Sequence, residues 1–272
     1  CSSDLHGRRG HIMRSSHLAI PVALLSGAIA TGPLTARQAE TLSPQGKTFF
    51  ESCAPVRDAE VCTWVTMEGG SVIELGATLP MKVVEGVPAD AEMVWPPEQL
   101  AAVPLPSEAR STLGIDHLGI NWEAHGHPPA PFLVPHFDFH FYTLSQADIR
   151  AIDCSDSRKP RTLPAGHVLP DIEVPGLGTL IGLCVPRMGM HAMPAEEIEG
   201  GPFEATMIIG YYAGRPIYFE PMVSRERLLR RTDFALALPP IHDLPAGVRY
   251  PSRLRAMYDT ERAGYRLVFT GF

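Results

Sequence analysis

The chain has 272 residues, a formal net charge of −7 and an ordinary apolar share of 45%. This length suits one large domain or two small ones, and the acidic excess argues against nucleic acid or an anionic lipid surface as a partner. The 27 prolines and 24 glycines disfavour long helices and favour short strands joined by turns.

The first 39 residues have the layout of a secretory signal peptide with a few residues upstream of it. Arg14 follows the first methionine, and a short apolar run over residues 18–29 leads to small residues suited to cleavage. Pro21 and Gly27 interrupt the run, which is short for a transmembrane helix, although an uncleaved anchor is the alternative. We therefore expect a periplasmic or extracellular protein with no stable membrane insertion once residues 1–39 are removed.

The part of the chain after residue 39 contains four cysteines, Cys53, Cys62, Cys154 and Cys184. An even number in an oxidising compartment predicts two disulfides. Pairing Cys53 with Cys62 would close a short loop, and pairing Cys154 with Cys184 would join two separate segments. Three connectivities are open at this point.

The predicted elements are mostly strands that follow a loose lead-in at residues 40–59. A hairpin turns at Glu68-Gly69-Gly70, and residues 83–106, with five prolines, are expected to be irregular. Ser145 and Ser224 are each placed to cap a short helix, the first expected to reach residue 154. The predicted strands are residues 61–67, 71–79, 115–122, 135–142, 179–185, 205–212, 216–222 and 265–270.

Sequential hairpins indicate antiparallel sheets. We therefore predict a mainly β fold, an antiparallel β-barrel or sandwich with a few short helices, as a single domain over residues 60–272. No dinucleotide or phosphate-binding glycine motif is present, and the GxSxG and HExxH motifs are also absent.

The most informative stretch is residues 135–142, Pro-His-Phe-Asp-Phe-His-Phe-Tyr, where polar and aromatic residues alternate with period two. Such alternation predicts a strand with three phenylalanines on one face and His136, Asp138, His140 and Tyr142 on the other. Five of the eleven histidines lie between positions 117 and 140. Histidine is the commonest metal ligand and the side chain best suited to proton transfer near neutral pH.

Several segments together resemble a family of uncharacterised bacterial exported proteins that share a domain of unknown function. The segments are His117 to Trp122, Gly126-His127-Pro128, residues 135–142, Met188-Gly189-Met190-His191 and Glu220-Pro221-Met222. Family members tend to have Trp after the MGxH histidine, where this chain has Ala192. The resemblance covers roughly residues 60–272 and implies export and a strand-rich domain, but no established reaction.

Metal binding is the chemistry that this pattern favours most. We expect His136, His140 and His191 to hold a divalent ion, Zn or Cu, with His127 and Glu220 as further candidate ligands. Residues two apart on one face lie about 6.6 Å apart, so His136 and His140, about 13 Å apart, share an ion only if the strand bends. The nearby Met188, Met190 and Met193 would favour copper if they faced the site.

Catalysis is left open, with Asp138, Glu220 and Tyr142 as candidate catalytic residues. Any reaction would be metal-assisted and would act on a small-molecule ligand in a cavity lined by Tyr142 and Trp122. The alternative is a non-catalytic oligomeric envelope protein, a homo-oligomer whose histidine row is structural. In that case His136 and His140 are buried polar groups satisfied by their neighbours, His117 lies on an exposed strand face, and His125 lies in solvent.

Overall fold

The computed structural model describes residues 39–42 and 46–272. The predicted signal peptide lies outside these residues except for Ala39. The described part contains sixteen strands and five short α-helices. The strands are β1 (Ala39–Leu42), β2 (Lys47–Val56), β3 (Ala59–Glu68), β4 (Ser71–Pro80), β5 (Gln99–Pro104), β6 (His117–Glu123), β7 (His136–Tyr142), β8 (His167–Val168), β9 (Ile172–Val174), β10 (Gly178–Leu180), β11 (Met190–Pro194), β12 (Ala205–Tyr212), β13 (Arg215–Ser224), β14 (Phe234–Ala237), β15 (Arg253–Asp259) and β16 (Gly264–Thr270). The helices are α1 (Met81–Gly86), α2 (Ser107–Leu113), α3 (Gln146–Arg150), α4 (Ala195–Glu199) and α5 (Arg225–Leu229).

Fourteen of these strands form two seven-stranded sheets. The first has the order β1-β2-β3-β4-β16-β15-β14, and the second has the order β5-β6-β7-β13-β12-β11-β8. All the described pairings are antiparallel. Each sheet is open at both edges within the described part of the chain. The predicted mainly β, antiparallel fold is thus confirmed, in its sandwich-like form.

The two sheets share one core, and the phenylalanine face of β7 belongs to it. The Phe141 ring lies 4.8 Å from that of Phe269 on β16, and the Phe219 ring of β13 lies 5.1 Å from the same ring. Phe137 and Phe139 are buried in the same cluster. Burial of these rings stabilises the packing of the sheets. Because side chains alternate along a strand, the histidines of β7 point to the opposite face of the second sheet.

Several elements differ from the sequence expectation. The lead-in expected at residues 40–59 contains β2, which pairs along its whole length with β3. The segment 83–106, expected to be irregular, contains most of α1 and all of β5. The strand expected at residues 179–185 ends at Leu180 and continues as a 3-10 turn, Ile181–Leu183. Pairing with neighbouring strands, rather than the local propensity of the residues, decides which of these segments become strands.

The predicted serine caps are present. The Ser145 hydroxyl accepts a hydrogen bond from the Asp148 N–H at 3.2 Å, and that of Ser224 accepts from the Arg227 N–H at 3.1 Å. The helix after Ser145 ends at Arg150, earlier than residue 154.

Both disulfides form between the four cysteines of the described part. Cys53 pairs with Cys62 across β2 and β3, and Cys154 pairs with Cys184 over a separation of 30 residues. The second bridge fixes the segment that leads from α3 to β11, which covers the histidine face of the second sheet.

Candidate functional site

Two groups of side chains that could hold a metal ion lie at the outer face of the second sheet. The first group is His127, His136 and Asp138, and the second group is His140, His191 and Glu220. In each group, one ligand atom per residue lies within 4.8 Å of the others. All are buried except His127, which is partly exposed.

Strand register brings these side chains together. On β7, His136, Asp138 and His140 share one face, and Glu123 of β6 pairs with His136. On β13, Tyr218 and Met222 pair with Tyr142 and Asp138, which places Glu220 beside His140. Directly opposite residues have their Cβ atoms about 5 Å apart, within reach of a shared ion.

His191 reaches the second group from two strands further along the sheet. It pairs with Gly210 of β12, and Gly210 pairs with Tyr218 of β13. A Cβ on Gly210 would lie 2.0 Å from the Tyr218 ring. The glycine therefore leaves room for this ring, whose centroid lies 4.8 Å from His140 and 5.7 Å from His191.

Backbone carbonyls orient three of the four imidazoles. Nδ1–H of His136 donates to the Val134 carbonyl at 2.7 Å. In the same way, Nδ1–H of His127 donates to the Pro128 carbonyl at 2.8 Å and that of His191 donates to the Leu183 carbonyl at 2.9 Å. A carbonyl only accepts, so the proton lies on Nδ1 and Nε2 carries the lone pair when the ring is neutral. Metal-ligating histidines use this arrangement to present Nε2 to the ion.

In each group an imidazole nitrogen faces a carboxylate oxygen without hydrogen-bond alignment. His136 Nε2 lies 3.3 Å from Asp138 Oδ1, and His140 Nε2 lies 3.5 Å from Glu220 Oε2. None of these four buried atoms makes a hydrogen bond within the described part of the chain. Two ligands of a tetrahedral zinc ion, each about 2.1 Å from the metal, lie about 3.4 Å apart. The separations therefore match the edge of a tetrahedron better than a charge-assisted hydrogen bond of about 2.8 Å.

Burial and mutual charge shift the pKa values of the first group in opposite directions. Burial lowers the pKa of His127 to about 4. Burial alone would raise the pKa of Asp138, but His136 lowers it to about 2. Burial alone would lower the pKa of His136, but Asp138 raises it. The Asp138 carboxylate is therefore ionised and ready to hold a positive charge.

The second group is held neutral by its surroundings. Burial lowers the pKa of His140 to about 3 and also lowers that of His191. Burial, and then the charge of Asp138, raise the pKa of Glu220 well above its usual range. A buried carboxylate without a cation is costly, whereas a bound divalent ion would compensate its charge.

A cavity of about 340 Å³ reaches both groups. Its polar lining includes His127 and Asp138 of the first group, His191 of the second group and Glu123. The remaining wall is mainly apolar and comes from residues 93–97 and 174–188. Both groups thus have a side chain at the surface of the same cavity.

The structure separates the three histidines that were expected to share an ion. His140 and His191 lie in the second group, whereas His136 lies in the first group with His127. The strand spacing between His136 and His140 explains this division. Asp138 and Glu220, both candidate catalytic or ligand residues, lie in different groups.

The aromatic side chains expected to line the cavity do not do so. Tyr142 is fully buried and stacks on His140, with ring centroids 5.2 Å apart. Trp122 lies on the other face of β6, where its ring is 4.7 Å from Phe137. The cavity aromatic is instead Trp95.

The other histidines and methionines considered from the sequence lie outside the two groups. His117 is buried rather than on an exposed strand face, and it stacks on Tyr142 at 5.0 Å. His125 is exposed, as expected if it has no role in the site. Met188 lines the cavity, whereas Met190 and Met193 pack in the two apolar clusters.

Glu123 is a site residue that the sequence reasoning missed. It is buried, and burial followed by the charge of Asp138 raises its pKa to about 8. The signal that could have found Glu123 is the alternation along this segment, in which His117, Asn121 and Glu123 fall on one face of a strand. Pairing with β7 makes this the face that carries the histidines.

Comparison with protein-family models, curated proteins and solved structures found no match to this chain. Among the described residues, no helix combines the length and apolar character needed to cross a bilayer.

Proposed function

We propose that this protein is an exported zinc-binding protein that holds one Zn²⁺ ion in each of the two groups. The observation that carries the proposal is the pair of buried imidazole–carboxylate contacts at 3.3 and 3.5 Å that lack hydrogen-bond alignment. A cation between the two atoms of each contact would satisfy both.

The donor set supports zinc among divalent ions. Each group offers two imidazoles and one carboxylate, and zinc commonly takes three such ligands with a fourth position for water or substrate. Copper would be favoured by sulfur ligands, but Met190 and Met193 pack in apolar clusters instead.

Export is proposed from the leader-like pattern of residues 1–39 together with the two disulfides, which are typical of oxidising compartments.

The second candidate function is structural, and the His136–Asp138 contact favours it. An imidazolium–carboxylate ion pair also accommodates a raised pKa of His136 and a lowered pKa of Asp138. In that case the histidine face rigidifies the sheet and no metal is required.

Metal analysis of untagged protein distinguishes the two functions. The protein is expected to bind about two zinc ions per chain. His127→Gln is expected to remove the ion of the first group and His140→Gln that of the second. His125→Gln is the matched control, because His125 lies two residues from His127 but is exposed and outside both groups.

Failure of the unsubstituted protein to bind zinc in equilibrium dialysis would refute the proposed function and favour the structural alternative. Binding of one ion that either variant abolishes would show a single shared centre and refute the separation into two groups. Folding of each variant is checked by circular dichroism, because both histidines are buried or partly buried.

A further inference from the structure

The cavity above the two groups has an apolar wall and a polar base. His127, Asp138 and His191 form the base together with Glu123. The apolar wall includes Met93, Val94, Trp95, Leu177, Leu180 and Met188. This division matches ligand sites in which an apolar surface binds the body of a molecule and a few polar groups fix its orientation.

The rim of this cavity is exposed and apolar. Met93 is 72% exposed, Val94 50%, Leu177 44% and Trp95 41%. These are four of the eight large apolar side chains that are exposed in the described part of the chain. Their clustering at one opening marks a binding site rather than the scattered exposure found on ordinary surfaces.

The cavity volume limits the size of the occupant. A cavity of about 150 Å³ binds one benzene molecule, and this cavity has about 340 Å³. A body about twice the size of benzene, including a head group at the base, would therefore fit inside the cavity.

We propose that the cavity binds a small molecule with an apolar body and one chelating oxygen head group that ligates a zinc ion at the base of the cavity. The inference rests on the proposed function, because the head group takes the fourth position that the three protein ligands of a group leave open, and a fifth when zinc expands its coordination. The apolar body lies against Val94, Trp95 and Leu177.

Binding of benzohydroxamate to the zinc-loaded protein, measured by isothermal titration calorimetry, tests the inference. Acetohydroxamate keeps the head group without the ring, and methyl benzoate keeps the ring without a chelating head. Burial of the ring is expected to make benzohydroxamate bind about 10- to 100-fold more tightly than acetohydroxamate. Methyl benzoate, and the chelator-treated protein, are expected to show no binding in the same range.

Two surface substitutions test the wall without touching a ligand residue. Val94→Asp and Leu177→Asp are each expected to weaken benzohydroxamate binding at least 10-fold while zinc content is unchanged. Leu229→Asp is the matched control, because Leu229 is 39% exposed on α5 and does not line the cavity.

The outcomes separate the two proposals. Zinc bound with no benzohydroxamate binding, or with acetohydroxamate binding equally well, would overturn the inference and leave the metal sites standing. Absence of zinc binding would overturn the proposed function. A third outcome is concentration-dependent self-association through the rim in sedimentation, with benzohydroxamate binding unchanged in Val94→Asp. This outcome would show that the apolar surface is a protein–protein interface and would overturn the inference.

Discussion

The smallest residue in the site controls the position of one of its largest rings. Gly210 lies between His191 and Tyr218 in the register of three strands, and a Cβ there would lie 2.0 Å from the Tyr218 ring. The Tyr218 ring contacts both imidazoles of the second group. Displacement of this ring is therefore expected to displace His140 and His191.

Gly210→Ala is expected to destabilise the protein by about 1–3 kcal/mol through overpacking. It is also expected to weaken zinc binding in the second group. Gly201→Ala is the control, because a Cβ there meets no atom within 4 Å. Thermal unfolding with and without zinc measures both effects. Equal zinc affinity in the two variants would show that Tyr218 does not position the second group.

His117, which belongs to neither group, also gives a pH dependence of stability. Burial lowers its pKa below the ordinary value of 6.5. The unfolded chain therefore binds a proton that the folded chain does not, and stability is lost as pH falls below about 6.5 towards the folded pKa.

His117→Gln is expected to reduce the slope of unfolding free energy against pH below the ordinary histidine pKa of 6.5. Urea unfolding in the presence of a chelator measures this slope without interference from bound metal. The slope above about pH 8, where His117 is neutral in both states, is the internal control. An unchanged slope below pH 6.5 would show that the folded imidazole titrates at its ordinary pKa.

At the scale of elements, the alternating residues of β7 were predictable and the convergence of its partners was not. The period of two placed Phe141 towards the core and His136, Asp138 and His140 on one opposite face. The strand spacing allowed His136 and His140 to share an ion, as predicted, only if the strand bent, and the two lie in different groups instead.

The positions of the other candidate ligands depend on long-range contacts that local sequence patterns do not specify. His127 comes from a loop, Glu220 from a strand about 80 residues later, and His191 from a strand joined through Gly210. Their positions are fixed by register across the sheet, which hydrophobic packing sets only when all the strands are assembled. The lead-in at residues 40–59 was missed for the same reason, because β2 is recognised as a strand by its pairing with β3.

The Cys154–Cys184 disulfide lies next to a residue that orients His191 of the second group. Cys184 follows Leu183, whose carbonyl accepts the Nδ1–H of His191, and Leu183 and Val185 both line the cavity. Loss of a hydrogen bond that orients a metal-ligating histidine typically weakens metal binding by about 10- to 100-fold.

Replacement of Cys154 and Cys184 by serine is therefore expected to weaken zinc binding in the second group about 10-fold or more. It should also destabilise the fold by about 3 to 4 kcal/mol on the loop-entropy estimate. The Cys53–Cys62 pair, in the other sheet, is the matched control: its replacement should lower stability and leave zinc affinity unchanged. Zinc titration of both double variants makes the comparison, and equal losses of affinity would contradict the specific role of Leu183.

At the scale of the molecule, the candidate ligands lie on several strands of one sheet, which shares its core with the other sheet. His136 and His140 lie on β7, His191 on β11 and Glu220 on β13, while Phe141 and Phe219 on the other face of β7 and β13 pack against β16. Separation of β7, β11 and β13 from one another would therefore expose both the candidate ligands and the shared core. Zinc bound on the outer face should thus stabilise the whole domain in a single cooperative transition.

The expected size of this stabilisation follows from ligand linkage. A free zinc concentration 100-fold above the dissociation constant of one group contributes about 2.7 kcal/mol. For a domain of this length that corresponds to a rise in melting temperature of about 5–10 °C. The shift should increase with the logarithm of zinc concentration and be reversed by a chelator. Mg²⁺ at the same concentration is the control, because it prefers oxygen ligands in an octahedral shell. The melting temperature could instead be the same with zinc, with Mg²⁺ and with chelator. The imidazole–carboxylate contacts would then hold a proton rather than a metal ion, and the histidine face would be a structural feature of the sandwich.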